Sequence, residues 1–394
     1  MSVSDARIPL AVPTLEGRER EYLEECIRTN FVSSVGPFVT RFEEAFAAAV
    51  GTRYAVACAS GTAAIHLAMR VLGVVPGDEV FVSTLTFVAS ANPVLYERAV
   101  PVLVDSERST MNLDPSIVAD ELARRARAGQ RLPRAIEVVH LLGHPADLAP
   151  IVEVAARHGV PIVEDASEAL GATWTDGPLA GRQVGSVGLL GCFSFNGNKL
   201  MTTGGGGMVT TDDEALARRV RHLSTQARLP GRAYRHDEVG YNYRLTNVAA
   251  ALGLAQLERL PELLAARRAI AGRYDAVLGS PDGGLRPALR APWADPSFWL
   301  YTAHLAPDAP GASIGRERLI DRLDEAGIEA RPIWTPLHTL PLFADAPRLG
   351  GRVAEEWFAG AVSLPSSSSL GPEQQARVVA GLAAAGVIGR SAVA

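Results

Sequence analysis

Lys199 closes the run Gly191-Cys192-Phe193-Ser194-Phe195-Asn196-Gly197-Asn198-Lys199, and Gly204 to Gly207 follow as an unbroken glycine tract. A lysine amine condenses with a carbonyl to form a Schiff base when the fold delivers it into a site rather than into solvent. The apolar start of the run reads as a buried strand, and the small residues beside the lysine allow a backbone to approach a ligand closely. Upstream, Val160-Pro161-Ile162-Val163 is an apolar strand ending in Glu164-Asp165. A lysine and a carboxylate at strand ends are what pyridoxal phosphate (PLP) requires. The lysine holds the aldehyde, and Asp165 holds the proton on the pyridine nitrogen, which makes the ring an electron sink. Each residue alone has a plainer reading: lysines are usually solvated, and a strand-terminal aspartate usually caps a helix.

Other residues fit the same chemistry. Glu168 shares Asp165's face if a helix begins there, either as part of a capping box or against the cofactor's phenolic oxygen. Ser60-Gly61-Thr62-Ala63-Ala64 joins a strand to a helix, and bare amides at a helix start bind phosphate. Ser194 alternates with Phe193 and Phe195, so it faces away from them and could reach the same phosphate. Phe87 either fills core or stacks on a planar ring. The loop with Arg228, Arg232, Arg235 and His236, leading to Gly240-Tyr241-Asn242-Tyr243-Arg244, is either a solvated basic loop or an anion site. Gly185, Gly188 and Gly191 do not form a dinucleotide fingerprint, because they precede a strand rather than follow one. His140 and His144 are four apart, but Gly143 and Pro145 break the helix that would make them metal ligands, and no metal is expected.

The elements that must position these residues alternate. Strands are expected at 54–58, 79–82, 101–104, 135–139, 161–163, 193–195 and 208–211. Helices are expected at 62–72, 88–98, 114–128 and 147–157, with another starting at Asp212. Such alternation predicts βαβ units and an α/β sheet covered on both faces. The segment 172–188 reads as a hairpin or loop. After about residue 250 the composition changes. A long Ala/Leu/Arg helical pattern at 249–274 is interrupted at Pro261, a Pro/Gly-rich stretch follows, and then come a strand at 298–305 and a helix at 315–326. This predicts a second, smaller α+β unit, and the biased tail from Ala383 reads as frayed.

The 394 residues suffice for more than one domain, and 47% apolar with 21% charged residues is ordinary for a soluble globular chain. A net charge of -5 argues against nucleic-acid binding, while small anionic ligands remain compatible with it. Cys26, Cys58 and Cys192 are too scattered for a disulfide framework or a zinc site. No signal-peptide pattern and no membrane-length apolar run is present, so a cytoplasmic enzyme without a membrane partner is expected.

Together these motifs resemble the DegT/DnrJ/EryC1/StrS family of PLP-dependent nucleotide-sugar aminotransferases. The resemblance runs from about Ile8 to Pro365. It is carried by SGTAA at 60–64, TLTFVASANPV at 84–94, HLLGHPADL at 140–148, EDASEALGA at 164–172, SFNGNK at 194–199, TTGGGGM at 202–208, VGYNYR at 239–244, RPIWTPLH at 331–338 and SLPSS at 363–367. It implies an aspartate-aminotransferase-like fold (PLP fold type I). A large PLP-binding domain, 1–255, would hold a mixed seven-stranded sheet, and a small C-terminal α+β domain would span 256–394. It also implies a homodimer with shared active sites, and transfer of an amine from L-glutamate to a nucleotide-linked keto sugar through the pyridoxamine phosphate form. Matched by position, Lys199 is the Schiff-base lysine and Asp165 the pyridinium partner. Phe87 is the stacking aromatic, Gly61, Thr62 and Ser194 cradle the phosphate, and Glu168 stands where Gln is frequent. Asn242 is the residue that the partner subunit lends to the phosphate, and Arg244, Arg331 and His338 fall among substrate contacts. Asn196 replaces a frequent His, and the SFNGNK–TTGGGG form resembles the subgroup that aminates C4 of 4-keto sugars. Lys199 sets the chain apart from a side branch that carries His and dehydrates. Rival readings are an aminotransferase or dehydratase for another keto sugar or keto-cyclitol, and a non-catalytic binding protein.

Overall fold

Short runs of Val, Ile, Leu and Ala build the central sheet, as strands buried on both faces require. The computed structural model describes residues 6–278, 283–306 and 310–388. In chain order the first part holds α1 (Glu19–Arg28), α2 (Pro37–Val50), β1 (Tyr54–Cys58), α3 (Gly61–Val71), β2 (Glu79–Ser83), α4 (Val88–Tyr96), β3 (Val100–Val104), α5 (Pro115–Arg127), β4 (Ala135–Val139), α6 (Leu148–His158) and β5 (Ile162–Asp165). Then come β6 (Thr173–Trp174), β7 (Leu190–Ser194), β8 (Gly207–Thr211), α7 (Glu214–Ser224), α8 (Asn247–Glu258) and α9 (Leu260–Leu278). The remainder holds β9 (Leu285–Arg286), β10 (Ala294–Asp295), β11 (Tyr301–Leu305), α10 (Arg316–Glu325), β12 (Arg331–Pro332), β13 (Arg348–Leu349), α11 (Val353–Gly360), β14 (Ala361–Leu364) and α12 (Pro372–Ala384).

The large sheet runs β1-β8-β7-β5-β4-β2-β3-β13. β8 is antiparallel to both neighbours, and the other pairings are parallel. The seven expected strands are all present, and a two-residue eighth, β13, joins the β3 edge from the C-terminal part. The long connection that returns to this edge carries no strand-length apolar run, so local pattern could not show it. A second, four-stranded antiparallel sheet, β12-β14-β11-β9, packs with α9, α10 and α12.

Local chemistry accounts for the helix ends. Ser60 caps α3 by accepting the Ala63 N–H at 3.0 Å. Asp114 caps α5, with Pro115 at its first position. The helix expected at Asp212 is capped by Asp213 instead, since Asp212 accepts the Arg53 N–H. Asp147 precedes α6 without a side-chain cap bond.

Period-two alternation sorts the sheet's side chains onto two faces. Phe193 and Phe195 point to one face, where they pack on Phe42 and Phe46 at ring separations of 5.0–5.4 Å. Each buried ring contributes about 1.5–3 kcal/mol of transfer free energy. Val82, Val163 and Cys192 point to the other face, under α3 and α4. Asp165 and Ser194, two residues further along β5 and β7, share that second face at the strands' C-terminal ends.

Pro261 does not break one helix but opens the second of two. The apolar residues of α9 serve both cores: Leu260, Leu263 and Leu264 pack with the large sheet, and Ile270, Tyr274 and Leu278 with the small one. Ile8, read from sequence as part of the first unit, pairs with the second: its N–H donates to Gly327 at 2.8 Å, and Glu329 donates back at 2.9 Å. The tail expected to fray lies partly in α12, and residues 389–394 fall outside the described residues.

Candidate active site

A cavity of about 320 Å³ opens where the strand ends meet the start of α3. Ligands favour the C-terminal edge of parallel strands, because helix N-termini and loops converge there. Lys199, Asp165, Glu168, Gly61, Thr62, Ser194 and Phe87 all line it, so seven residues expected from sequence come together. Phe87 is about half exposed and its ring lies 4.9 Å from that of Trp334, so it is a cavity wall and not core.

Asp165 is buried and held on both oxygens. Ser90 Oγ donates to Oδ2 at 2.8 Å, and the Ser167 N–H donates to Oδ1 at 3.0 Å. Thr86 and Ser90 hydroxyls lie 2.8 Å apart and extend this network. No helix begins after β5. The chain turns instead, so Glu168 is neither a helix neighbour nor a capping-box residue. Its Oε2 accepts the Leu142 N–H at 2.7 Å, its Oε1 accepts Trp334 Nε1–H at 3.0 Å, and Lys199 Nζ stands 3.9 Å away. Leu142 takes φ 56° to present that N–H, a left-handed conformation that costs a leucine roughly 1–2 kcal/mol.

Lys199 Nζ also lies 3.6 Å from the Trp299 ring centre, and Trp299 Nε1–H donates to Asn198 O at 2.7 Å. Burial pushes the Lys199 amine below its ordinary value, against the opposing pull of Glu168 and Asp165. Burial pushes the Glu168 carboxyl up, opposed by Lys199. Burial thus works against the charged form of both partners, while each favours the other's charge across 3.9 Å.

The site fits PLP. Gly61, Ser194 and Ser167 approach so closely that a Cβ on Gly61 would stand 2.7 Å from Ser194 Cβ and 3.2 Å from Ser167 Oγ. This forms a small-residue concavity at a helix N-terminus, where amides lack acceptors within the helix. The cavity combines it with a mostly buried amine, a buried carboxylate and an exposed aromatic face. Gly207, on β8, backs the concavity. A methyl there would meet the Ser60 carbonyl and stand 2.8 Å from Gly61 N. Gly207→Ala is therefore expected to lose about 1–3 kcal/mol of stability and to retain less cofactor, as thermal unfolding and cofactor absorbance would show. Unchanged values for both would refute this account of the cradle.

The remaining expected residues lie elsewhere. Arg244 is turned into its own chain: Nη1 donates to the buried Glu43 Oε1 at 2.8 Å and to Ala57 O at 3.1 Å. It is not presented as a free fork. Asn242 is exposed, with its Oδ1 accepting from Gln226 at 3.2 Å. Arg331 pairs with Glu329 and lines a second cavity of about 440 Å³, which shares Asn198, Trp299 and Trp334 with the first. Both His338 ring nitrogens are engaged, with Thr84 at 2.7 Å and Glu355 at 3.2 Å, and it lines neither cavity. His140 and His144 are buried in hydrogen bonds to Glu164, Ala146, Pro145 and Ala291. Among the described residues, His222, Asp237 and Glu238 bring one ligand atom each within 4.8 Å, but Arg219 holds both oxygens of Glu238. Sequence reading missed Trp299, Trp334, Ser90 and Leu142; only Ser90, three residues past Phe87, carried a local signal.

Similarity to known proteins agrees with this geometry. The family model for the DegT/DnrJ/EryC1/StrS aminotransferase family matches residues 13–383. The chain is 44% identical to EpsN of Bacillus subtilis over 95% of this chain and 94% of that protein. It is 43% identical to the GDP-perosamine synthase of Caulobacter vibrioides over 95% and 97% of the two chains. Spr1654 of Streptococcus pneumoniae, solved in PLP and PMP forms, is 25% identical and superposes with TM-scores of 0.85 and 0.84, covering 96% of this chain and 98% of that one. A lysine and a buried carboxylate in one cavity beside a helix N-terminus, in a chain matched over residues 13–383, place the protein in the DegT/DnrJ/EryC1/StrS family as a PLP-dependent sugar aminotransferase.

Proposed function

We propose that the enzyme converts a nucleotide-linked 4-keto sugar to the 4-amino sugar with L-glutamate as donor, and that it works in the cytoplasm as a homodimer. The observation that carries this reading is the pairing of Lys199 with Asp165 and Glu168 in one cavity, in a chain 43% identical to a GDP-perosamine synthase. When bound, PLP supplies the carbonyl that captures the amine and the electron sink that accepts the α-carbon's electron pair. Asp165 would hold the ring-nitrogen proton, and its bonds from Ser90 and Ser167 keep the carboxylate aimed. Gly61, Thr62 and Ser194 would hold the phosphate, and Phe87 would face the ring. Lys199, with its amine biased toward neutrality by burial, would take a proton from the donor's α-carbon and return it on the far side of the cycle. Glu168 and Trp299 would keep that amine from swinging into solvent.

The sugar nucleotide would enter through the second cavity, where Arg331 offers charge and Trp299 and Trp334 offer flat apolar surface. The three unpaired, buried cysteines suit a reducing compartment, and no described helix is long and apolar enough to cross a membrane. Incubating the enzyme with glutamate and a panel of UDP-, dTDP- and GDP-linked 4-keto sugars, and identifying the amine position in the product, tests the substrate class. Amination of keto-cyclitols alone, or of 3-keto sugars alone, would overturn it.

The shared-site reading rests on the exposed Asn242, whose side chain accepts from Gln226 of its own chain among the described residues. Asn242→Asp would set a carboxylate against the partner's phosphate and inactivate that site. Mixing it with Lys199→Ala under subunit exchange should give heterodimers with one intact site each, and recover about a quarter of full activity. Exchange without recovery would mean that Asn242 serves its own chain.

A further inference from the structure

Two carboxyls on neighbouring strands of the large sheet are fully buried but treated in opposite ways. Glu164 on β5 is completely partnered: it accepts N–H bonds from Gly185, Val187 and Gly188 at 2.6–2.8 Å and meets His140 Nε2 at 3.0 Å. Burial alone would raise it, but His140 and these amides bring it below the ordinary carboxylate range. Glu137 on β4 is equally buried, and neither of its oxygens has a hydrogen-bond partner among the described residues.

Register places Glu137 beside the cofactor pocket. It lies opposite Val82 on β2 and Val163 on β5. Its neighbours Ile136 and Val138 point to the opposite face, whereas Ala135, two residues before it, packs on the face under α3 and α4. Asp165 is two residues past Val163 on that face, one diagonal step from Glu137, within reach of through-space charge coupling. Among the described residues, polar groups on this side include Cys192 from β7, Ser90 from α4, and His66 and Arg70 from α3, both of which are tied to Glu97, at 2.7 and 3.1 Å. None of them offers Glu137 a positive partner.

An unpartnered carboxylate in such a place is far less stable than the neutral acid. We propose that Glu137 is a proton-holding residue behind the Asp165 pocket: it stays un-ionised at neutral pH, so that the strand beside Asp165 adds no second carboxylate charge to the one that would match a single ring cation. Burial first, and the Asp165 charge second, push its titration well above the ordinary carboxylate range, in agreement with that geometry. Glu137 acts on the chemistry through Asp165, so it is a positioning residue and not a catalytic one.

The sign of the linkage follows. The unfolded chain releases this proton near the ordinary glutamate value of about 4.3, and the folded chain keeps it to higher pH. The stability that Glu137 contributes is therefore fully present below that value. It is lost as pH climbs toward the folded titration, by up to about tenfold in the folding constant per pH unit. Glu137→Gln and Glu137→Leu remove that proton.

The test uses the full-length enzyme with cofactor bound. The infrared difference spectrum between wild type and Glu137→Gln at neutral pH should contain the C=O stretch of one un-ionised carboxylic acid. Denaturant unfolding from pH 5 to 9 should show wild type losing stability relative to both variants as pH rises. A carboxylate band in place of the acid band, or equal pH slopes in the three proteins, would overturn the proposal. If Glu137→Gln folds poorly, Glu137→Leu alone decides the slope. Neither measurement uses turnover, so the outcome is independent of the sugar substrate proposed above.

Discussion

Lys199→Ala is expected to abolish transamination while leaving the fold intact. The side chain lines the cavity and reaches Glu168 at 3.9 Å and the Trp299 ring at 3.6 Å, but makes no contact on which a strand or helix depends. Proton transfer by a placed side chain alone is worth about 10²–10⁴-fold, and losing the Schiff-base amine adds to this, so the rate should fall by more than about 10³-fold, or roughly 4 kcal/mol of barrier. Removing a buried amine should not reduce thermal stability, because its desolvation penalty is removed with it. Single-turnover measurements with glutamate, alongside a melting curve, check both parts. Near-native turnover would show that another base does this work, whereas collapse of the fold would assign Lys199 a structural role that its contacts do not suggest.

Asp165→Asn should cost several orders of magnitude in rate. The substitution keeps size but removes the charge that would hold the ring-nitrogen proton. It also puts an amide where two donors, Ser90 Oγ–H and Ser167 N–H, converge at 2.8 and 3.0 Å. The Ser167 N–H can only donate, so the amide must present its Oδ1 there and turn its Nδ2 to the Ser90 hydroxyl, which would have to accept instead of donate. Ser90→Ala separates the two effects, since it leaves the charge and removes one restraint. Its loss of rate should be much smaller than that of Asp165→Asn. A loss below about tenfold for Asp165→Asn, near 1.4 kcal/mol, would remove the electron-sink role from this residue.

Much of the site was legible along the chain because its parts are local. Ser194 could be assigned to the cavity face from its alternation with two core phenylalanines, and the structure packs Phe193 and Phe195 on Phe42 and Phe46 behind it. Asp165 and Lys199 each close an apolar segment, and parallel strands present such ends on one edge. Ser60 signals its cap through its own neighbours. The same locality misled where it ended. Glu168 reads as a helix residue only if a helix follows β5, but the chain turns there, and its carboxylate accepts the N–H of Leu142 from another connection.

What the sequence by itself determined was the order of seven strands of the large sheet and of the helices between them, the chemical type of the site and the residues that alternation and capping place at strand ends. Those depend on interactions within a few residues. The tertiary structure alone decided which distant groups share a neighbourhood. Trp299 reaches the lysine, and Trp334 reaches Glu168 beside it, from segments flanking strands of the small sheet. Glu43, 201 residues away in sequence, turns Arg244 inward. Glu137 reads along the chain as one polar residue in an apolar strand, and only the pairing of β4 with β5 sets it beside Asp165. Periodicity states which face a side chain takes but carries no information on register between strands or on packing between sheets. Those follow from burying the whole apolar surface at once.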